Sequence, residues 1–178
     1  MQTPGGPVNV ELAQAAQVAT VDKASRDDIH PDSFVGITSV TDPDGSQRAV
    51  EVHVFAESMR GTGEGSRDWD LPSASAASSR MTNGTVSGSR MTNGAVSASK
   101  MTNGTVTGPG AGSSLVVNYK DGAQTISIPA DIPIVALEPG QTADLQPGAH
   151  VFVIAHQAGG VLTADRVLVG RNGVVPPM

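Results

Sequence analysis

The chain of 178 residues contains no cysteine. That excludes disulfides, thiolate metal sites and cysteine nucleophiles, and it fits a reducing or an oxidising compartment equally. Aromatic bulk is scarce, with three Phe, one Tyr and one Trp. A core therefore has to be assembled from Val, Ile, Leu and Ala. No run approaches the roughly 18 apolar residues of a membrane-spanning helix, so no membrane span is expected. Basic residues are few, 11 Lys and Arg against 17 Asp and Glu. They form no patch that would give a nucleic-acid binder its electrostatic footprint, and no nucleic-acid partner is expected. The opening Met-Gln-Thr-Pro-Gly-Gly has neither a basic nor an apolar stretch, so no signal peptide is visible.

What the chain does have is punctuation, with 21 Gly and 12 Pro. Frequent turns between short apolar runs point to many short strands. Val8, Val10 and Leu12 alternate with polar neighbours, and Val18 to Val21 is a second short run. Ser25 and Asp28 have capping-box spacing, which predicts one helical turn. Phe34–Val40 and Ala49–Phe55 read as strands around the turn Asp42-Pro-Asp-Gly45. The alternation predicts Val50, Val52 and Val54 on one face of the second strand, with Glu51, His53 and Phe55 on the other.

A shift of 116 residues lays the front of the chain over its end. Val10 and Leu12 fall on Ile126 and Ile128, Asp28 on Asp144, and Val35 and Ile37 on Val151 and Val153. After the turn the shift becomes 115, and Ala49, Val52 and Val54 meet Ala164, Val167 and Val169. This reads as an internal duplication. The later segment also has Leu115–Tyr119 and Gln124–Ile128 around Lys120-Asp-Gly122, a hairpin signal. The expected fold is all-β: two related small OB-like barrel units offset by about 116 residues, the first lacking its opening hairpin. The expected divisions are a first, incomplete unit at 1–58, a Gly/Ser-rich linker at 59–78 with Trp69 as anchor, a repeat array at 79–103 and a second unit at 104–178. The incomplete unit leaves an unpaired edge at Val8, Val10 and Leu12, which proteins normally cover. Self-association through strand exchange is one way to cover it.

Between the two halves a decapeptide is written three times, at 79–88, 89–98 and 99–108. Each copy contains Met-Thr-Asn-Gly, and each Asn-Gly has the composition of a type I′ turn. Strands would then run Thr85–Thr92 and Ala95–Thr102. With one Val and one Met per copy they need another sheet to join. The array is either slack connector or a substitute for the missing strands.

Phe34-Val-Gly-Ile37, Asp42 to Phe55, Met59-Arg-Gly-Thr-Gly-Glu-Gly65, Trp69-Asp-Leu71, the Met-Thr-Asn-Gly-Thr-Val phrase and the ending Arg166 to Met178 together resemble an uncharacterised family of exported bacterial proteins. The resemblance covers nearly the whole chain and implies tandem small β-barrels in a periplasmic or extracellular setting. It supplies no catalytic residues. Members carry a leader, an opening hairpin and a single copy of the decapeptide phrase.

Candidate ligand-binding residues cluster at His53, Arg60, Glu64, Arg67, Trp69 and Asp70. The glycines at 61, 63 and 65 fall at every second position and lack the strand-to-helix setting of a phosphate loop. His53 and Glu51 share a strand face and could ligate an ion, although an exposed face is the plainer reading. Asp42-Pro-Asp-Gly45 lacks the later ligands of a calcium loop, so no metal site is assigned. No Gly-x-Ser-x-Gly elbow is present, which places a hydrolase lowest. The expectation is a non-enzymatic module acting in binding or assembly, without a cofactor. A periplasmic protein binding a small ligand or a metal is the alternative, and no particular small molecule is indicated.

Overall fold

The computed structural model describes residues 1–69, 79–91 and 113–177. Its strands are β1 (Gln2–Thr3), β2 (Gly6–Pro7), β3 (Glu11–Lys23), β4 (Phe34–Thr41), β5 (Gln47–Phe55), β6 (Gly65–Trp69), β7 (Ser79–Met91), β8 (Ser113–Tyr119), β9 (Gly122–Ile128), β10 (Ile134–Pro139), β11 (Val151–Ala158) and β12 (Val161–Gly170). Single 3-10 turns lie at Arg26–Asp28, Glu57–Met59 and Thr142–Asp144. No helix among the described residues is long and apolar enough to cross a membrane. Spatial contacts gather the chain into two compact units. One is Lys23–Ala136, and the other joins Met1–Asp22 to the chain from Leu137 onward. The divisions drawn above follow likeness between segments, whereas these units follow contact, and strands from both sides of the repeat array share one unit.

In the first of these, the closed unit, β4 and β5 form a hairpin over Asp42-Pro-Asp-Gly45, where Gly45 supplies the left-handed residue at φ 82°. β7 pairs the free side of β4, from Phe34↔Thr85 to Val40↔Ser79. β8 follows on β7 and β9 on β8. A short parallel seam, Gln47↔Ile126 and Arg48↔Ser127, joins β9 to β5. The ring of five strands is thereby closed, antiparallel except at the seam, as a small OB-like barrel. Its interior holds Val35, Ile37, Ala49, Val52, Leu115, Val117 and Ile126, all fully buried. Each such aliphatic side chain larger than Ala contributes about 1.5–3 kcal/mol on leaving water. The turn at Arg26–Asp28 is capped as its spacing predicts, with the Ser25 N–H donating to Asp28 at 2.7 Å. The bonds from the Ser25 backbone and hydroxyl hold the Asp28 carboxyl below its ordinary range. Ile29 then enters the core, and the Arg26 guanidinium donates to the carbonyls of Ile128 and Pro129.

The expected facing of β5 is corrected at its start. A bulge between Thr38 and Ser39 leaves Thr38 opposite Glu51 but Ser39 opposite Ala49. Val50 is the extra residue, and Ala49 takes the core position that simple alternation assigned to Val50.

The first decapeptide is also corrected. Asn83-Gly84 is not a turn; it lies inside β7, with β4 on one side and, on the other, the point where β6 gives way to β8. Glycine is needed there because a Cβ would stand 2.1 Å from the Asn118 carbonyl oxygen. The backbone approach is that close because β7 leaves β6 and takes up β8 in this region. Asn93-Gly94 and Asn103-Gly104 lie outside the described residues, as does the expected strand Ala95–Thr102.

In the other, open unit the order is β11-β12-β3, with the end of β10 beside β3. β12 and β3 are parallel, and Ala164, Val167 and Val169 pack with Val10, Val18 and Val153. Residues 1–8 form the small hairpin β1–β2, extended by mutual backbone bonds between Met1 and Val8 at 2.8 and 2.9 Å. The opening hairpin expected to be missing is thus represented by its tip.

The pairing registers of the two units coincide under the shift seen in the sequence. Val35↔Val54 becomes Val151↔Val169, and the bulge at Thr38/Ser39 becomes that at Ile154/Ala155. The seam pair Arg48↔Ser127 becomes Thr163↔Glu11, and Tyr119↔Gly122 becomes Thr3↔Gly6. Both capping boxes coincide too, with the Gln141 N–H donating to Asp144 at 2.7 Å. Among the described residues the open unit has no strand in the places of β7 and the first part of β8.

Gly84→Ala should destabilise the closed unit by about 3 kcal/mol, because the added methyl meets backbone that cannot yield. Gly122→Ala, which meets nothing closer than 3.5 Å, is the control and should stay within about 0.5 kcal/mol. Equal denaturant midpoints for the two variants would contradict the close approach of β7 and β8.

Candidate functional site

Two places draw together the residues singled out from sequence. The first is the outer face of β4, β5 and β7. Antiparallel partners share a face, so Gly36 lines up with His53 and Asn83, and Thr38 with Glu51 and Met81. The expected exposed face is corrected here: Glu51 is 4% exposed and His53 3%. The cover is the chain after β5. Phe55 lies edge-on to Phe34 at 5.4 Å, and the loop beyond the turn at Glu57–Met59 passes overhead. Asn83 Nδ2 donates to the Thr62 carbonyl at 3.0 Å and so holds the loop down. Gly36 makes room beneath, since a Cβ there would meet Asn83 Oδ1 at 2.8 Å and the Phe55 ring at 3.0 Å.

The alternating glycines have a conformational reason. Gly61, Gly63 and Gly65 take φ values of 84°, 59° and 126°, a region that side chains rarely enter. Arg60 anchors the start of the loop. Its guanidinium donates to Glu57 at 2.5 and 2.7 Å, to Thr85 Oγ1 at 3.0 Å and to the Asp32 carbonyl at 2.7 Å, and it lies 5.9 Å over the Phe34 ring. Arg67 anchors the end by donating to the Gly63 carbonyl at 2.8 Å. Glu64 is exposed. Trp69 stands opposite Ser79 at the end of β6, and Asp70 lies outside the described residues. His53 is therefore beneath the loop, Glu64 is on it, and the two arginines tie its ends.

Under this cover Thr38 Oγ1 donates to Glu51 Oε1 at 2.6 Å, and His53 Nε2 stands 3.7 Å from the same oxygen. Burial pushes the Glu51 carboxyl above its ordinary range, against the opposing effect of the Thr38 bond. Chemically this is a shielded proton acceptor inside a polar row. Glu51 and His53 were legible as a same-face pair. Asn83 and Thr38 were missed, because their roles depend on pairings between distant strands.

The second place is the edge of the open unit. Val10 and Leu12 line a cleft of about 240 Å³ here together with Met1, Leu145, Val151 and Val153, whereas Val8 is held by its backbone bonds to Met1 and lies outside the lining. The counterparts of the lining residues under the shift show what this cleft is. Val117, Ile126, Val35 and Ile37 are each 0% exposed in the closed barrel, and Ile128 is 1%. In the open unit Met1 is 45% exposed and Leu12 44%, while Val10, Val151 and Val153 are half-buried. β11 ends the sheet, and among the described residues no strand pairs its outer side. No family model, curated protein or solved structure matches this chain.

Glu51→Gln supplies the test of the polar row. The folded state holds this carboxyl above its ordinary value of 4.5, so the raised pKa adds nothing below that value and costs stability as pH rises through the interval above it. The variant should match the parent at acidic pH and exceed it at pH 7 in urea unfolding. A variant that matches the parent at acidic pH but is less stable than it at pH 7 would place the charged carboxylate among the stabilising groups.

Proposed function

We propose that this chain is a non-catalytic β-barrel module of the bacterial cell envelope that acts in binding or assembly by accepting a β-strand. One contrast carries the reading. Positions that are sealed in the closed unit are open in the unit that pairs with the same registers but has no covering strand among the described residues. We take that correspondence as the mark of an internal duplication. An unpaired strand beside an apolar cleft is the arrangement that β-strand addition uses: main-chain bonds give affinity, and alternate side chains fill the cleft. The cleft favours a strand over a small molecule, because its lining side chains are all apolar and bring no polar group to orient a ligand. The envelope setting rests on the likeness of Met59 to Gly65, Asp42 to Phe55 and the ending from Arg166 to exported bacterial proteins.

Hydrogen exchange tests the reading directly. In dilute solution, amides of Val151–Ala158 on the side away from β12 should exchange at least about a hundredfold faster than those of β4. They should become protected when the edge is occupied. Dilute-solution protection equal to that of β4 would mean the edge is already covered and would sink the proposal.

A further inference from the structure

We infer that the edge of β11 pairs with an antiparallel strand of the decapeptide sequence carried by a second copy of this chain. This rests on the strand-acceptor reading and names its partner. In the closed unit, the strand seated on β4 is the first decapeptide, Ser79–Gly88. β11 repeats β4 in hairpin register and in the position of its bulge. The chain writes the decapeptide three times but has a single β4, so the sequence that fits this kind of edge is in excess.

The facing agrees as well. A ten-residue period is even, so each copy presents the same side chains to the same face. Val86, 2% exposed, is the apolar residue that the phrase inserts into the closed barrel, and Val96 and Val106 occupy its place in the other copies. In the corresponding register, the glycine of the phrase lies opposite Val151 as Gly84 lies opposite Val35. Phe152 stands where β4 has Gly36, so the asparagine meets a ring instead of bare backbone. That difference makes β4 the better seat of the two, and on β11 the asparagine has to turn aside from the ring. The edge itself carries no Lys, Glu, Asp or Pro from Val151 to Ala158, the residues that usually keep edges apart. Mutual exchange between two copies closes the assembly as a twofold dimer.

The experiment is sedimentation velocity on the full chain, on Val96→Asp/Val106→Asp, and on Ile154→Lys, which charges the half-buried outer face of the β11 edge. The parent should be dimeric at micromolar concentration. The double variant leaves β7 unaltered and should dissociate at least about tenfold more readily. It should also bind a labelled synthetic peptide of sequence 79–88, whereas Ile154→Lys should neither dimerise nor bind that peptide. Circular dichroism confirms that each variant is folded. A monomeric parent, or a double variant that associates as the parent does, overturns the assignment. In the second case, loss of association by Ile154→Lys alone would show that the edge accepts a strand of another sequence.

Discussion

The closed barrel depends on its shortest pairing, the parallel seam between β5 and β9. Only Gln47↔Ile126 and Arg48↔Ser127 are paired there, with the Ser127 hydroxyl donating to the Gln47 carbonyl at 3.1 Å. Without that seam β9 is an edge and the interior opens on one side. The seam joins positions 80 residues apart, so closing the ring carries the entropy of a long loop. Few hydrogen bonds are formed in return. What holds the ring is the apolar interior it encloses, where Val52, Leu115, Ile126 and Ile37 are each fully buried. The bond count of the seam is therefore a poor measure of its importance, because its effect is to decide whether the core is sealed.

The same logic runs through the polar row on the outer face. Glu51 and His53 on an uncovered strand would be ordinary solvated side chains. They become buried because three glycines let the chain after β5 double back, and because Arg60 and Asn83 fix it in place. The loop thus turns a polar strand face into an interior, at the cost of holding a carboxyl away from water.

Much of the fold was legible because strand physics is local. Alternation found β4 and β5, Asp-Gly found the β8–β9 hairpin, and the capping spacing found the turn at Arg26–Asp28. The failures were where a distant strand decides. Val50 looked inward until the bulge made it the extra residue. Asn83-Gly84 had the composition of a turn, yet glycine there answers to the Asn118 carbonyl, a contact no local pattern encodes. The candidate site was legible to a similar depth. The sequence marked Val8, Val10 and Leu12 as an edge, but Leu12 is paired with Ala164 and Val8 with Met1, and the strand that ends the sheet is β11, which the pattern did not single out. The burial of His53 was not legible, because the cover depends on left-handed glycines, which composition hints at without saying where the loop lands.

The division of the chain into units has a consequence in time. The closed unit is one continuous stretch, Lys23–Ala136, whereas the open unit is assembled from the two ends. During synthesis from the N-terminus, the barrel can shut before β11 and β12 have been made. The first 22 residues must meanwhile wait, with Val18 to Val21 lacking the neighbours at Val167 to Gly170 on which their sheet depends. The last part of the molecule to be organised is thus the one that begins first, and throughout that interval its apolar positions are open to whatever strand arrives.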